Sequence, residues 1–483
     1  MKRTGLIGMA ALAVLLSACG DDNGTNGPAT LPRVSNLAIT PNSNNVLSAI
    51  LTLEPTNVDS ARVVYWTGTG AKQYTPFVGD TGTSRMVVLG LRPGTQYNFA
   101  IEAANSHAQR TSDTVSFTTD TLPTFLSSSS FTGASPSSGG YVLTSIFDGT
   151  SAHVVAFDSA GQLAWYRSFP GAIPVEEVKQ QTNGDITAVL TTSHGGEPVP
   201  GQAVAIAPDG TILRTYTAPD SSYLDGHEFW ELADSHGAYA GALFLAYTAR
   251  HFDESPHGGS ADSLVTGHQL VRQDASGTKS VVFDAWDHFA LSDNVEPVPG
   301  QLDFDHPNSV SIAADGNYVV SWRNLDVITN IDASTGALIW TLAGPFATIA
   351  SDFTITGDPL SGFSAQHSVR SLDNGNLLIF DNGTRHATQT SRALEYQLDT
   401  GAHTATRVWD FMHAPPIYTS FTGSVQRLAN GNTFIGWTFG RPLTATEVTS
   451  SGTTVWEGTL SVPTDQIPYR FTKIASLYGY EVP

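Results

Sequence analysis

Three histidines stand at matched distances ahead of a glycine turn. His227 precedes Gly237 by ten residues, His306 precedes Gly316 by ten, and His367 precedes Gly375 by eight. Their settings are Asp225-Gly226-His227-Glu228, Asp305-His306-Pro307-Asn308 and Ala365-Gln366-His367-Ser368. A second series follows at Arg250-His251, Arg323, Arg385-His386 and Arg441, in a chain with only 23 Lys and Arg. A neutral imidazole attacks electrophilic sulfur or phosphorus, and a second one can protonate the leaving oxygen because its pKa lies near neutrality. Guanidinium groups stabilise charge spread over the oxygens of a loose transition state. Taken singly, each residue has a plain structural role, the histidine as a satisfied donor and the arginine as partner of a nearby Asp. Their recurrence in register is what points to an anion pocket. A metal centre is the rival, since His is a common ligand, and the neighbouring arginines argue against a cation.

Such a constellation needs a scaffold that repeats. Turn dipeptides punctuate the chain at Asp148-Gly149, Asn183-Gly184, Asp209-Gly210, Asp315-Gly316, Asn374-Gly375 and Asn430-Gly431. Asn and Asp tolerate the positive φ of a tight hairpin turn, and Gly favours it. In a further series a Trp lies four residues after a Gly: Gly161 and Trp165, Gly336 and Trp340, Gly452 and Trp456. The unit is clearest in residues 306–344, which predict strands at 308–312, 318–322, 327–331 and 337–340. Four strands with two such turns make one propeller blade, and counting comparable units predicts about six blades. The first strand of each blade lines the central channel, so the three histidines converge at one mouth. Strand two runs antiparallel to strand one, so the arginines in the loops after it return to the same mouth.

Composition agrees. The 483 residues are 40% hydrophobic and 14% charged, with 9 Trp, 15 Tyr and 23 Phe, which excludes a disordered chain. A net charge of −21 argues against nucleic acid, which needs a cationic face. The many Thr, Ser, Gly and Val residues, with hardly an amphipathic helix, predict an all-β protein. Residues 1–18 read as an export signal: Lys2 and Arg3, an apolar run from Gly5 to Leu16, then Ser17-Ala18. The sole cysteine follows in Leu16-Ser17-Ala18-Cys19-Gly20, which resembles a bacterial lipobox in which Cys19 is acylated. That predicts an exported protein anchored by lipid to the cell envelope, in the periplasm or at the outer membrane, without disulfides. Residues 19–30 read as a flexible tether. Residues 31–123 alternate in short runs, Ala49, Leu51 and Leu53, then Ala61, Val63 and Tyr65, then Val87, Leu89 and Leu91. There, Leu91-Arg92-Pro93-Gly94-Thr95-Gln96-Tyr97 resembles the tyrosine corner of a fibronectin type III β-sandwich, read as a spacer. Residues 124–483 are the expected propeller.

The stretches Asp225-Gly226-His227-Glu228-Phe229, Phe304-Asp305-His306-Pro307-Asn308-Ser309-Val310, Gly316-Asn317-Tyr318-Val319-Val320-Ser321-Trp322-Arg323, Phe363-Ser364-Ala365-Gln366-His367, Phe380-Asp381-Asn382-Gly383 and Ser391-Arg392-Ala393-Leu394-Glu395-Tyr396 resemble, in order, the arylsulfate sulfotransferase family. The resemblance implies a six-bladed envelope propeller that moves sulfuryl groups from a phenolic sulfate donor to a phenol acceptor. It implies a ping-pong route through a sulfohistidine with no nucleotide donor and no cofactor. It also implies that His306 and His367 bind the sulfuryl group or shuttle protons, and that Arg385 stabilises its charge. His227, Arg323, Asn308 and Arg441 are the candidate substrate-binding residues. One departure stands out. The family's nucleophilic histidine belongs near the start of the last blade, where this chain reads Ser420-Phe421-Thr422-Gly423-Ser424-Val425-Gln426-Arg427-Leu428. The nearest candidate is His413, between the last two blades. If His413 does not reach the funnel, His306 or His367 is the nucleophile, or transfer is lost and the ring is a non-catalytic binder of an anionic ligand or partner. A quinone-dependent dehydrogenase is more distant, for want of an adjacent-cysteine pair or a calcium-ligand run.

Overall fold

The computed structural model describes residues 31–79, 84–133, 139–171, 175–190, 201–257, 259–296, 303–440, 442–464 and 466–479. The signal segment, the tether and Cys19 lie outside the described residues, as does Arg441. Within them the chain is a nearly all-β protein, and no helix is long and apolar enough to cross a membrane.

From Ser130 onward, the described residues form six sheets that follow one another around a central axis, antiparallel except where Thr354–Thr356 runs parallel to Thr404–Phe411. The unit read from sequence appears as Pro307–Ile312, Tyr318–Trp322, Val327–Ile331 and Leu338–Ala343, in that order across one sheet. Glycines 149, 184, 210, 316, 375 and 431 all adopt positive φ between 82° and 94°, as their turns require. The inner strands are Val175–Gln180, Tyr223–Ala233, Pro307–Ile312, His367–Ser371, Ser424–Arg427 and Thr472–Ile474. The last of these is the end of the described chain returning to the first sheet, where it pairs with Tyr141–Phe147. At the rim, Ser130–Thr132 adds an outer strand beside Thr454–Ser461 of the last sheet. Both ends of the segment therefore lock the ring shut.

The Gly-to-Trp spacing falls at joints between sheets, tight at Gly161 and Gly336 and loose at Gly452, where a Cβ would lie 4.0 Å from Phe411. A Cβ at Gly336 would be driven into the Val282 carbonyl oxygen of the preceding sheet, and one at Gly161 into that of Phe131. Four residues on, the tryptophan reaches forward: Trp165 Nε1 donates to Pro208 O at 2.7 Å, and Trp456 Nε1 to Ser159 O at 3.3 Å. The glycine lets one sheet come close, and the buried indole fixes the next.

Residues 33–118 form two facing sheets around Leu51, Val63, Leu91, Phe99 and Ile101. The Tyr97 hydroxyl accepts the Arg92 N–H at 3.0 Å, the tie-back that the Leu91–Tyr97 pattern suggests. The third alternating run is corrected at Val87 and Leu89, while Leu91 does lie in this core. Met86 and Val88 fill this core, while Val87 and Leu89 turn outward onto Leu143, Leu477 and Tyr478 of the ring. Both faces of Arg85–Val88 are therefore apolar. Arg92 pairs with Asp158 at 2.5 Å and Arg85 with Asp209 at 2.7 Å, so this pair of sheets is docked on the ring.

The two glycine classes separate by experiment. Gly336→Ala adds a clash to left-handed strain and is expected to cost about 3 kcal/mol or more of unfolding free energy. Gly316→Ala meets nothing within 4 Å and is expected to cost about 1–2 kcal/mol, the backbone penalty alone. Chemical denaturation of the two variants reads the difference.

Candidate active site

Several inner strands enter the ring through distorted backbone. Pairing slips between Leu224 and Phe229, between Pro307 and Ser309, and between His367 and Arg370. Such bulges re-aim side chains out of the ladder. Left-handed backbone accompanies them at His306 (φ 44°), Ala365 (53°), Ser368 (50°) and Thr422 (64°). Residues with a Cβ hold that conformation only where their surroundings impose it, and such positions gather at functional sites.

The distortion assembles three carboxylate–imidazole pairs. His227 Nδ1 lies 2.8 Å from Asp225 Oδ1, His268 Nδ1 lies 2.6 Å from Asp305 Oδ1, and His306 Nδ1 bonds Asp303. The His227 and His306 rings meet edge to face with centroids 4.6 Å apart, and Tyr469 stands 5.4 Å from His227. A carboxylate on Nδ1 fixes the tautomer and leaves Nε2 as the reactive nitrogen. His306 Nε2 takes no hydrogen bond from the described residues, and its side chain is 20% exposed. Burial alone would raise the Asp225 carboxyl, but His227 and His268 hold it well below its ordinary range. Burial opposes charge on His268 as well, yet Asp305 and Asp225 push that imidazole well above its usual value, so it is a cation at neutral pH. His268, Asp303 and Asp305 have ligand atoms within 4.8 Å of one another, close enough for a metal. His268 bonds Asp305 at 2.6 Å and lies 3.5 Å from Asp225, so the same group is tied together by internal contacts.

Beside them lies a pair of guanidinium groups. The Arg323 N–H donates to His306 O at 3.0 Å. Its side chain and that of Arg385 converge on one oxygen of Glu296, at 3.1 and 2.6 Å, and Arg385 also bonds Asp326 Oδ1 at 2.7 Å. One carboxylate oxygen thus occupies the place where two guanidinium groups could grip an anionic ligand. Burial pushes the Asp326 carboxyl up to about 6 against the pull of Arg385.

Of the remaining candidates, His367 lies near enough to Arg323, His306 and His227 to feel their charge, and the others are placed differently. His367 is buried, with Nδ1 on Asn382 Oδ1 at 2.7 Å and Nε2 accepting the Thr422 N–H at 3.2 Å. Burial, then Arg323 and His306, hold it well below its ordinary pKa, so it is neutral with both nitrogens engaged. It anchors the entry to the inner strand Ser424–Arg427. Asn308 donates to Gln366 O at 2.7 Å, inside the ring wall. His413 is not brought to this group. Its Nδ1 bonds Pro415 O at 2.7 Å and its Nε2 lies 2.9 Å from Glu457 on the outer strand Thr454–Ser461, beside Trp437. Arg250 and His251 also stay outside, because the strand Tyr239–Phe252 carries them out past the mouth, where Arg250 stacks on Trp286 and His251 bonds Asp262. Asp303, His268 and Glu296 escaped the sequence pattern. His268 lies on a third strand, Ser263–Asp274, and the two carboxylates lie in the approach to Pro307–Ile312.

Residues 213–461 match the family model described as arylsulfotransferase (ASST). No curated protein matches the chain. Among solved structures, a protein of unknown function from Bacteroides caccae is 16% identical, with a TM-score of 0.45, covering 70% of this chain and 100% of its own. A quinonprotein alcohol dehydrogenase-like protein from Bacteroides thetaiotaomicron is 10% identical, with a TM-score of 0.34, covering 92% and 100%. A catalytically inactive virginiamycin B lyase from Staphylococcus aureus is 12% identical, with a TM-score of 0.32, covering 86% and 99%.

Asp326 gives a signed pH dependence. Its folded pKa of about 6 exceeds the ordinary 3.8, so the folded chain holds a proton that the unfolded chain has released. Its contribution to stability therefore falls as pH rises from about 4 to 6, by up to roughly 3 kcal/mol. Subtracting the unfolding free energy of Asp326→Asn from that of the wild type, measured across pH 4 to 7, is expected to show that decline.

Proposed function

The chain belongs to the arylsulfotransferase family, and from that premise we propose that it moves a sulfuryl group from a phenolic sulfate ester to a phenol through a sulfohistidine on His306. The observation that carries the choice of residue is the hydrogen-bond pattern of the candidate imidazoles. His413 is committed to Pro415 and Glu457, and His367 has both nitrogens occupied. His306 has Nδ1 on Asp303 and a partly exposed ring.

In the first half-reaction His306 Nε2 attacks sulfur. The N–S bond forms as the ester S–O bond breaks, and the departing phenolate takes a proton from His227, whose Nδ1 is held by Asp225. In the second half the acceptor phenol gives its proton to His227, its oxygen attacks sulfur, and the N–S bond breaks to restore His306. Arg323 and Arg385 take the sulfuryl oxygens as Glu296 yields its place between them. The His268 cation offsets part of the charge of Asp225, Asp303 and Asp305, which would otherwise repel a sulfate more strongly. The reaction needs no cofactor. Residues 1–18 and Cys19 support an exported, lipid-anchored enzyme of the cell envelope, with the membrane as its partner through that lipid.

A second reading, a ring that binds an anion without turnover, draws on Thr422, whose backbone N–H rather than an imidazole meets His367 in the last sheet. One assay separates them. Purified protein given a chromogenic aryl sulfate is expected to release phenolate in a phenol-dependent way. His306→Ala should lower turnover by about 10³-fold or more, with the fold intact, while His413→Ala should stay within about twofold. No release from the wild type, or undiminished release from His306→Ala, overturns the proposal.

A further inference from the structure

Large apolar side chains are exposed on the ring in two places. Among the described residues, one set lies on the outermost strands, as Ile339 and Val455 do. The other set is Phe346, Met412, Phe421 and Ile467, which are between 38% and 50% exposed. Fourth strands end, and first strands begin, at the histidine mouth. Phe346 follows Leu338–Ala343, Met412 follows Thr404–Phe411, Ile467 follows Thr454–Ser461 and Phe421 precedes Ser424–Arg427, so all four belong to that mouth. Apolar side chains gathered in the open beside charged groups mark a place where a ligand's apolar part is covered.

Two of the four stand beside the guanidinium pair. The loop of Phe346 is tied on both sides of that residue. The Gly344 N–H donates to Asp326 O at 2.8 Å, and Thr348 Oγ1 donates to Asp293 Oδ1 at 3.3 Å. Asp326 holds Arg385, and Asp293 lies just ahead of Glu296, the carboxylate that Arg385 and Arg323 share. The Phe346 ring lies 5.6 Å from that of His386, the neighbour of Arg385. From the last sheet, Ser420 O accepts a hydrogen bond from Thr384 Oγ1 at 3.2 Å, which brings Phe421 to the same segment. The Phe421 ring leans on Phe439 with centroids 4.0 Å apart. Thr384-Arg385-His386 therefore runs between two exposed phenylalanines. Arg385 is itself 15% exposed, so the anion grip and the apolar rings share one opening.

We propose that Phe346 and Phe421 form the subsite for the organic body of the ester, and that they select sulfates of extended apolar phenols, bicyclic or larger, over those of small ones. The inference rests on the reading in which Arg323 and Arg385 grip the sulfuryl group. A sulfate ester held there by its oxygens turns its fourth substituent away from the guanidinium groups, where it meets either water or the rim. An aryl ring laid against Phe346 or Phe421 covers apolar area on both partners, in edge-to-face or offset contact. Neither phenylalanine carries a group that titrates or reacts. They act on affinity and choice of substrate, and the chemical step stays with the imidazoles.

Aryl sulfonates test this apart from turnover, because their carbon–sulfur bond has no ester oxygen to leave. In calorimetric titration of the wild-type chain, sodium 2-naphthalenesulfonate is expected to bind about fivefold or more tightly than sodium benzenesulfonate. Phe346→Ala combined with Phe421→Ala should bring the two ligands within about twofold of each other. Phe346→Leu combined with Phe421→Leu should keep most of the preference. If the double alanine variant does not fold, each single alanine variant should narrow the ratio. Equal affinity of the wild type for the two sulfonates, binding of neither, or a ratio unchanged by the alanine substitutions in a folded chain overturns the proposal. A wild type that prefers the larger sulfonate but releases no phenolate from an aryl sulfate supports this subsite and overturns sulfuryl transfer alone.

Discussion

Closure of the ring is the constraint from which the rest follows. The strand Thr472–Ile474 pairs with Tyr141–Phe147, more than three hundred residues earlier, and completes the first sheet. Strand addition of this kind pays for the long loop with backbone hydrogen bonds and a buried core of Leu143, Val178, Ile186 and Ile474. Just before it come Tyr469, against His227, and Arg470, across Glu177 and Glu228. The same joint that shuts the ring therefore sets Tyr469 beside His227 and Arg470 between two buried carboxylates.

Within the closed ring, charge is arranged in layers. At the histidine mouth three carboxylates orient three imidazoles, and His268 among them is driven firmly into its charged form. His227 and His306 keep Nδ1 on a carboxylate, which fixes the orientation of each ring. Arg323 and Arg385 then bring two guanidinium groups together on one oxygen of Glu296.

Much of this was legible in the sequence where the cause is local. Positive φ at Asp315-Gly316 or Asn374-Gly375 is a property of the turn itself, and the Gly336-to-Trp340 spacing marks a joint repeated between sheets. His227 and His306 could be placed because rotation superposes strand starts, so a matched offset becomes a shared mouth. Reading failed where the cause was distant. His413 looked able to reach the funnel, but Glu457 on an outer strand holds it at the rim. His268 belongs to a third strand and enters only because Asp305 of the next sheet draws it in. Glu296 carries no motif at all. Val87 and Leu89 kept the alternation of a core strand while serving the interface with the ring, since a strand apolar on both faces cannot declare which face is which.

The central claim is that one imidazole, His306, carries the transferred group. The direct measurement is to mix the protein with an aryl sulfate in the absence of phenol, quench in base to preserve an N–S bond, and map the sulfuryl group by peptide fragmentation. A single sulfuryl group on His306 is the predicted result. Sulfuryl on His367 or His413, or none on any histidine, contradicts the account.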